Sequence, residues 1–185
     1  DLHGRYPAVE GHRHVLCCLT QGLLDLDIHA NHRTTACEAG DVERVAQTPD
    51  DYLEGLAEGS GDDLRRLDAL IRAAMPGRSR VLWRGTFWGG SEQAIVGYGD
   101  LVQSRPRGPD VEWFVVGLAR QKSTLSIYVN AVDDGAYLVK QYDGRLGRAT
   151  IGSAVISFRR ADDLDPDSLS ELVRRAGELH PANPG

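Results

Sequence analysis

The stretch from Val81 to Gly99, VLWRGTFWGGSEQAIVGYG, constrains this chain more than any other. It holds Trp83, Phe87, Trp88 and Tyr98 together with five glycines. The next apolar run, VEWFVVGLA (Val111–Ala119), adds Trp113, the third tryptophan. Aromatic side chains supply large buried areas, and glycines let a backbone turn or approach its neighbour closely. Both runs read as strands of one twisted sheet, against which the rest of the chain is laid.

The neighbouring segments fit that plan. Arg80–Trp83 leads into a turn over residues 84–90, and Gln93–Tyr98 returns. A loop rich in turn residues (104–109) precedes Val111–Ala119, and residues 120–123 form a hairpin connection into Thr124–Asn130. In that last strand Leu125, Ile127 and Val129 alternate with Thr124, Ser126, Tyr128 and Asn130, which predicts one covered face and one wetter face. A short helix is expected over 133–142, with Tyr137, Leu138 and Tyr142 inward, then a turn over 144–148 and a final strand within 151–158.

Helices flank the strands. Thr48-Pro49-Asp50-Asp51 is a helix start, with Thr48 as N-cap and Pro49 at the first helical position, for a helix over 49–57. A second helix over 62–75 carries Leu64, Leu67, Leu70, Ile71 and Ala74 at helical spacing, with Arg65, Arg66 and Asp68 outside. Asp165 caps a closing helix that starts at Pro166 and carries Leu169, Leu172, Val173, Ala176 and Leu179. Consecutive strands with helices grouped at either end predict an α+β fold built on an antiparallel sheet of about five strands.

Usage of cysteine and histidine divides the chain. All three cysteines (Cys17, Cys18, Cys37) and five of the six histidines lie before Gly40. A break of this kind predicts an N-terminal extension over 1–44, disordered or foreign to the domain and dispensable, and a single domain over 45–185. Within the extension the His/Cys spacing matches neither paired Cys-x-x-Cys nor a Cys/His finger. A chain of 185 residues can bury a full core. Its net charge of −6 argues against a nucleic-acid partner held through phosphate neutralisation. No run approaches the roughly 20 apolar residues that a membrane span needs. The expected setting is cytoplasmic, since the main domain carries no cysteine and suits a reducing compartment.

From about Thr48 to Gly177 the chain resembles the YdhG-like domain family. The motifs that carry the resemblance are PDDYLEGL, LDALIRAAMPG, LWRGTFWGG, YGD, EWFVVGLARQKSTLSIYV, GRLG and DDLDPDSLSEL. It implies a frataxin-like fold, with helices packed on one face of an antiparallel sheet. Most of that family has no assigned function, and one branch is discussed as an intracellular iron chaperone. It brings no catalytic residue set.

The residues themselves offer two site readings. There is no GxSxG elbow and no Walker loop, the glycine pair Gly97/Gly99 lacks its third partner, and His180 is the single histidine after residue 44. No nucleophile or general base stands out, so a binding role is expected over an enzymatic one. In the first reading Trp83, Trp88, Trp113 and Tyr128 converge on the wetter face as an aromatic cleft. Arg84, Arg120 and Lys122 stand at its rim, and a planar or anionic small molecule is the ligand. Plain core is the alternative fate of these rings. In the second, Asp50, Glu54 and Glu58, at fourfold spacing on one helical face, hold ferrous iron as in a frataxin-like carrier. Solvated helix acids are the plainer reading. The turn Gly144–Arg148, with Arg145 and Arg148, is a third candidate for an anion.

Overall fold

Two of the three helices start at the caps that the sequence predicts, Thr48 and Asp165. In the computed structural model, which describes residues 42–86, 92–103 and 110–181, helix α1 spans Pro49–Glu54. The Thr48 hydroxyl accepts from the Asp51 N–H at 3.1 Å. α1 stops three residues short of expectation, where the Gly55 N–H closes on the Asp51 carbonyl. Helix α2 (Ser60–Ala74) starts earlier than Asp62, because Gly59, at φ +81°, makes the turn and donates its N–H to the Asp62 carboxylate. Helix α3 (Pro166–Leu179) begins at Asp165, whose carboxylate accepts from the Ser168 N–H at 2.8 Å.

Seven strands make the sheet: β1 (Glu43–Arg44), β2 (Arg80–Thr86), β3 (Glu92–Gln103), β4 (Val111–Arg120), β5 (Leu125–Val129), β8 (Thr150–Ile151) and β9 (Val155–Phe158). Their order is β1-β2-β3-β4-β5-β9-β8, and every pairing is antiparallel. The α+β expectation holds. The two strands beyond the expected five are two-residue edges, too short to show in an apolar pattern; short edges also offer little backbone to a stray partner. Because Glu43 and Arg44 pair with Arg84 and Trp83, the domain takes in residues that the composition break assigned to the extension.

One register row runs through the sheet. Leu82, Val96, Leu118, Ile127 and Ile156 lie side by side on five strands, all fully buried. On them pack Leu64, Leu67 and Ile71 of α2 with Leu169, Leu172 and Val173 of α3. Leu125, Ile127 and Val129 belong to this covered side, as their alternation predicts.

Two expectations need correction. The segment 133–142 is not one helix. Strands β6 (Val132–Asp133) and β7 (Ala136–Tyr137) form a ribbon, followed by a 3₁₀ turn, Leu138–Tyr142. Asp134 and Gly135 at the ribbon's tip both have positive φ, the demand of a tight two-residue hairpin loop, and Asp-Gly is its sequence signal. The second correction concerns the face expected to be wet. Ser126 is 3% exposed, and Trp83, Ile95 and Ala119 beside it are buried.

Candidate functional site

That second face carries the aromatic residues. Trp83, Ile95, Trp113, Phe114 and Ala119 form a separate cluster, with Val42, Leu101, Val111 and Tyr128 around it. Trp113 stacks on Phe114 with ring centroids 4.7 Å apart and tilts against Trp83 at 5.4 Å. The glycines in this cluster are not the floor of a cleft. A Cβ on Gly97 would lie 2.7 Å from Trp83 Nε1, and one on Gly117 would lie 2.8 Å from Phe114 Cζ. The rings lie down on the backbone where those side chains are missing.

Among the described residues the expected aromatic cleft is not assembled. Trp83 and Trp113 are only 4% and 8% exposed. Tyr128 is half-buried, and its hydroxyl accepts from Gln121 Nε2 at 3.0 Å; burial raises its pKa and the Gln121 hydrogen bond opposes the rise. Arg84 and Arg120 stand on the helix side, because successive strand residues point to opposite faces and each is two residues from a core leucine. Arg84 donates to Gln47 and lies 5.7 Å over the Tyr52 ring. The Tyr52 pKa, raised by burial, is pulled back by Arg84 and Arg120. Lys122 is exposed in the β4–β5 turn. The rim position falls instead to Arg44, 5.0 Å from the Trp83 ring centroid and paired with Asp100 and Glu112. Trp88 lies outside the described residues, as do Cys17, Cys18 and Cys37.

The acidic ridge also comes apart. α1 ends at Glu54, so Glu58 falls in the turn before α2 and shares no helical face with Asp50 and Glu54. Asp50 is taken up by Arg80 Nη1 at 2.9 Å. Among the described residues no three His, Cys, Asp or Glu side chains gather as a metal-holding group. In the turn over 144–148 both arginines are engaged: Arg145 pairs with Glu171 and Arg148 with Asp163, each at 2.7 Å.

A different site emerges at the C-terminal end of α2. A cleft of about 630 Å³ is lined by Ala69, Arg72, Ala73 and Met75 of that helix end, Gly77 and Arg78 of the following loop, and Arg80 and Tyr98 of β2 and β3. Behind it lies Asp68, only 5% exposed. Arg80 Nε and the Tyr98 hydroxyl both donate to Asp68 Oδ1, at 2.8 and 2.6 Å. Burial works against the charge of Arg80, but its bonds and attraction to Asp68 outweigh that and hold its pKa above the ordinary value. Burial, then the neighbouring carboxylate, push the Tyr98 phenol far up, so it stays a donor. Arg80 Nη2 is buried and, among the described residues, has no acceptor. Arg78 donates to the Gly177 carbonyl of α3 at 2.6 Å. Arg72 is 59% exposed and reaches Asp68 Oδ2 only at 3.9 Å, too far for a hydrogen bond. A smaller hollow of about 200 Å³ adjoins through Met75 and Arg78.

The signal for this site stood in the sequence. Its charge groups Asp68 with the outward Arg65 and Arg66, yet Asp68 follows Leu64 by four residues, precedes Ile71 by three and is buried. That puts a carboxylate on the apolar stripe, where it needs buried partners. Which arginine answers it could not be read from spacing.

No protein-family model, no curated protein and no solved structure matches the chain. Among the described residues no helix is long and apolar enough to cross a membrane.

Proposed function

We propose that this protein binds a small anionic molecule in the arginine-lined cleft at the end of α2, as a binding module and not as an enzyme. The observation that carries this is the lining itself, three arginines and, among the described residues, no acid around one concave space. Arg80 is oriented from behind by Asp68, so its guanidinium is set before any ligand arrives. Such preorganisation spares a ligand part of the ordering cost of binding. Among the described residues the cleft is lined by neither histidine nor cysteine, and the Asp68 carboxylate behind it already serves Arg80 and Tyr98. We read the domain as YdhG-like with a frataxin-like layout, a reading supported by helices gathered against an antiparallel sheet. A cytoplasmic setting belongs to the same proposal; residues 45–185 carry no cysteine and need no oxidising compartment.

Thermal unfolding in the presence of small phosphates, sulfates and carboxylates, at constant ionic strength, tests the reading. A ligand at about 100 times its Kd stabilises the folded state by about 2.7 kcal/mol. At least one anion should raise the midpoint, and Arg72→Ala, at an exposed position, should remove the rise. No shift with any anion at millimolar concentration overturns the proposal.

A further inference from the structure

Three arginines line the cleft from different parts of the fold. Arg72 comes from the last turn of α2, Arg78 from the loop after it, and Arg80 from the first residue of β2. Arg72 and Arg78 have donors to spare: Arg78 uses Nη2 on the Gly177 carbonyl, and Arg72 makes no bond to Asp68 within hydrogen-bond distance. Arg80 is held on Asp68 and Asp50, its Nη2 buried and without an acceptor among the described residues, and contributes its positive charge to the wall. Of the acids nearby, Asp68 and the exposed Asp50 stand on Arg80, and Glu178, in the adjoining hollow, pairs with Arg174 and Arg175; none of the three lines the cleft.

Resting on the cleft as the ligand site, we infer that the group it recognises is a phosphoryl group. A carboxylate has two coplanar oxygens and one charge, which one guanidinium fork satisfies. Donors from Arg72 and Arg78, on two separate elements, with the charge of Arg80 behind them, suit a tetrahedral group with three terminal oxygens and up to two charges. A carboxylate in the same place engages fewer of these donors, so fewer charge-assisted bonds form. Beside the arginines the wall is apolar, made of Ala69, Ala73 and Met75, and can cover an organic body attached to the phosphate. Free phosphate and a phosphate monoester share the recognised chemistry.

Calorimetric titration of the full chain with phenyl phosphate, benzoate and inorganic phosphate, at one ionic strength and pH 7.5, separates the cases. Phenyl phosphate should bind about tenfold or more tightly than benzoate, since charge-assisted bonds are lost with the carboxylate. Arg72→Ala and Arg78→Gln should each weaken phenyl phosphate by about tenfold; glutamine can still donate to the Gly177 carbonyl. If Arg78→Gln fails to fold, Arg72→Ala alone decides. Phenyl phosphate binding tighter than inorganic phosphate supports an ester, and equal binding supports free phosphate. Benzoate binding as tightly as phenyl phosphate overturns the phosphoryl inference while the anion cleft stands. Absence of binding by all three, or binding that neither arginine affects, overturns both.

Discussion

Asp68 is the residue on which the cleft depends. Its carboxylate is buried beneath α2, where an uncompensated charge would be costly, and it is kept there by Arg80 and Tyr98. Asp68→Ala leaves the guanidinium of Arg80 and the hydroxyl of Tyr98 without their shared acceptor. Breaking a buried pair from one side costs about 3 to 5 kcal/mol. Urea unfolding of Asp68→Ala should show a loss in that range, with ligand binding weakened in whatever folded fraction remains. A loss below about 1 kcal/mol, the scale of an exposed ion pair, would mean that Arg80 is not held from behind. His180 is a different kind of buried polar group. It ends α3, its Nε2 has no acceptor or donor among the described residues, and burial, then Arg78, lower its pKa. It sits beside the cleft's wall and not in it.

At the scale of elements, β3 and β4 form the centre of the sheet, and their glycines decide how the second face is filled. Gly97 and Gly117 pair with each other across these strands, and the rings of Trp83 and Phe114 occupy the space that their side chains would take. Strict alternation lapses nearby. Gly99 has φ +71° and is not ladder-paired with Val115, and on β4 Val115 and Val116 both join the helix-side core while Trp113 and Phe114 both join the other. Gly117→Ala should overpack this cluster, at about 1 to 3 kcal/mol. In a Phe114→Ala background most of that penalty should disappear, because the closest clash is with the Phe114 ring and the lesser one is with Ile95 Cγ2 at 2.9 Å. Additive effects of the two substitutions in chemical denaturation would show that the ring does not lie on Gly117.

Across the whole molecule, both faces of the sheet carry buried apolar residues but by different means, packing under α2 and α3 on one and an aromatic cluster on the other. β1 belongs to the second. Arg44 covers Trp83 and pairs with Asp100 and Glu112, and Val42 packs on the cluster. A chain beginning at Val42 should therefore be more stable than one beginning at Val45 by about 1 to 2 kcal/mol, the combined scale of an exposed cation–π contact and an exposed ion pair. Equal thermal midpoints would return the boundary to residue 45. Local chemistry was legible without coordinates. Thr48 and Asp165 announced their helices, Leu125, Ile127 and Val129 their face, and the grouping of strands the α+β class, because caps and periodicity act within a few residues. Asp134-Gly135 was legible too and was overridden by an apparent helical pattern. What spacing could not supply were contacts between distant segments. The meeting of Asp68 with Arg80 and Tyr98, the flattening of Trp83 over Gly97, and the placing of Arg84 and Arg120 on the face away from the tryptophans all follow from strand register and helix docking. Register is fixed by how the whole set of apolar faces is buried at once, and only the tertiary structure decides it.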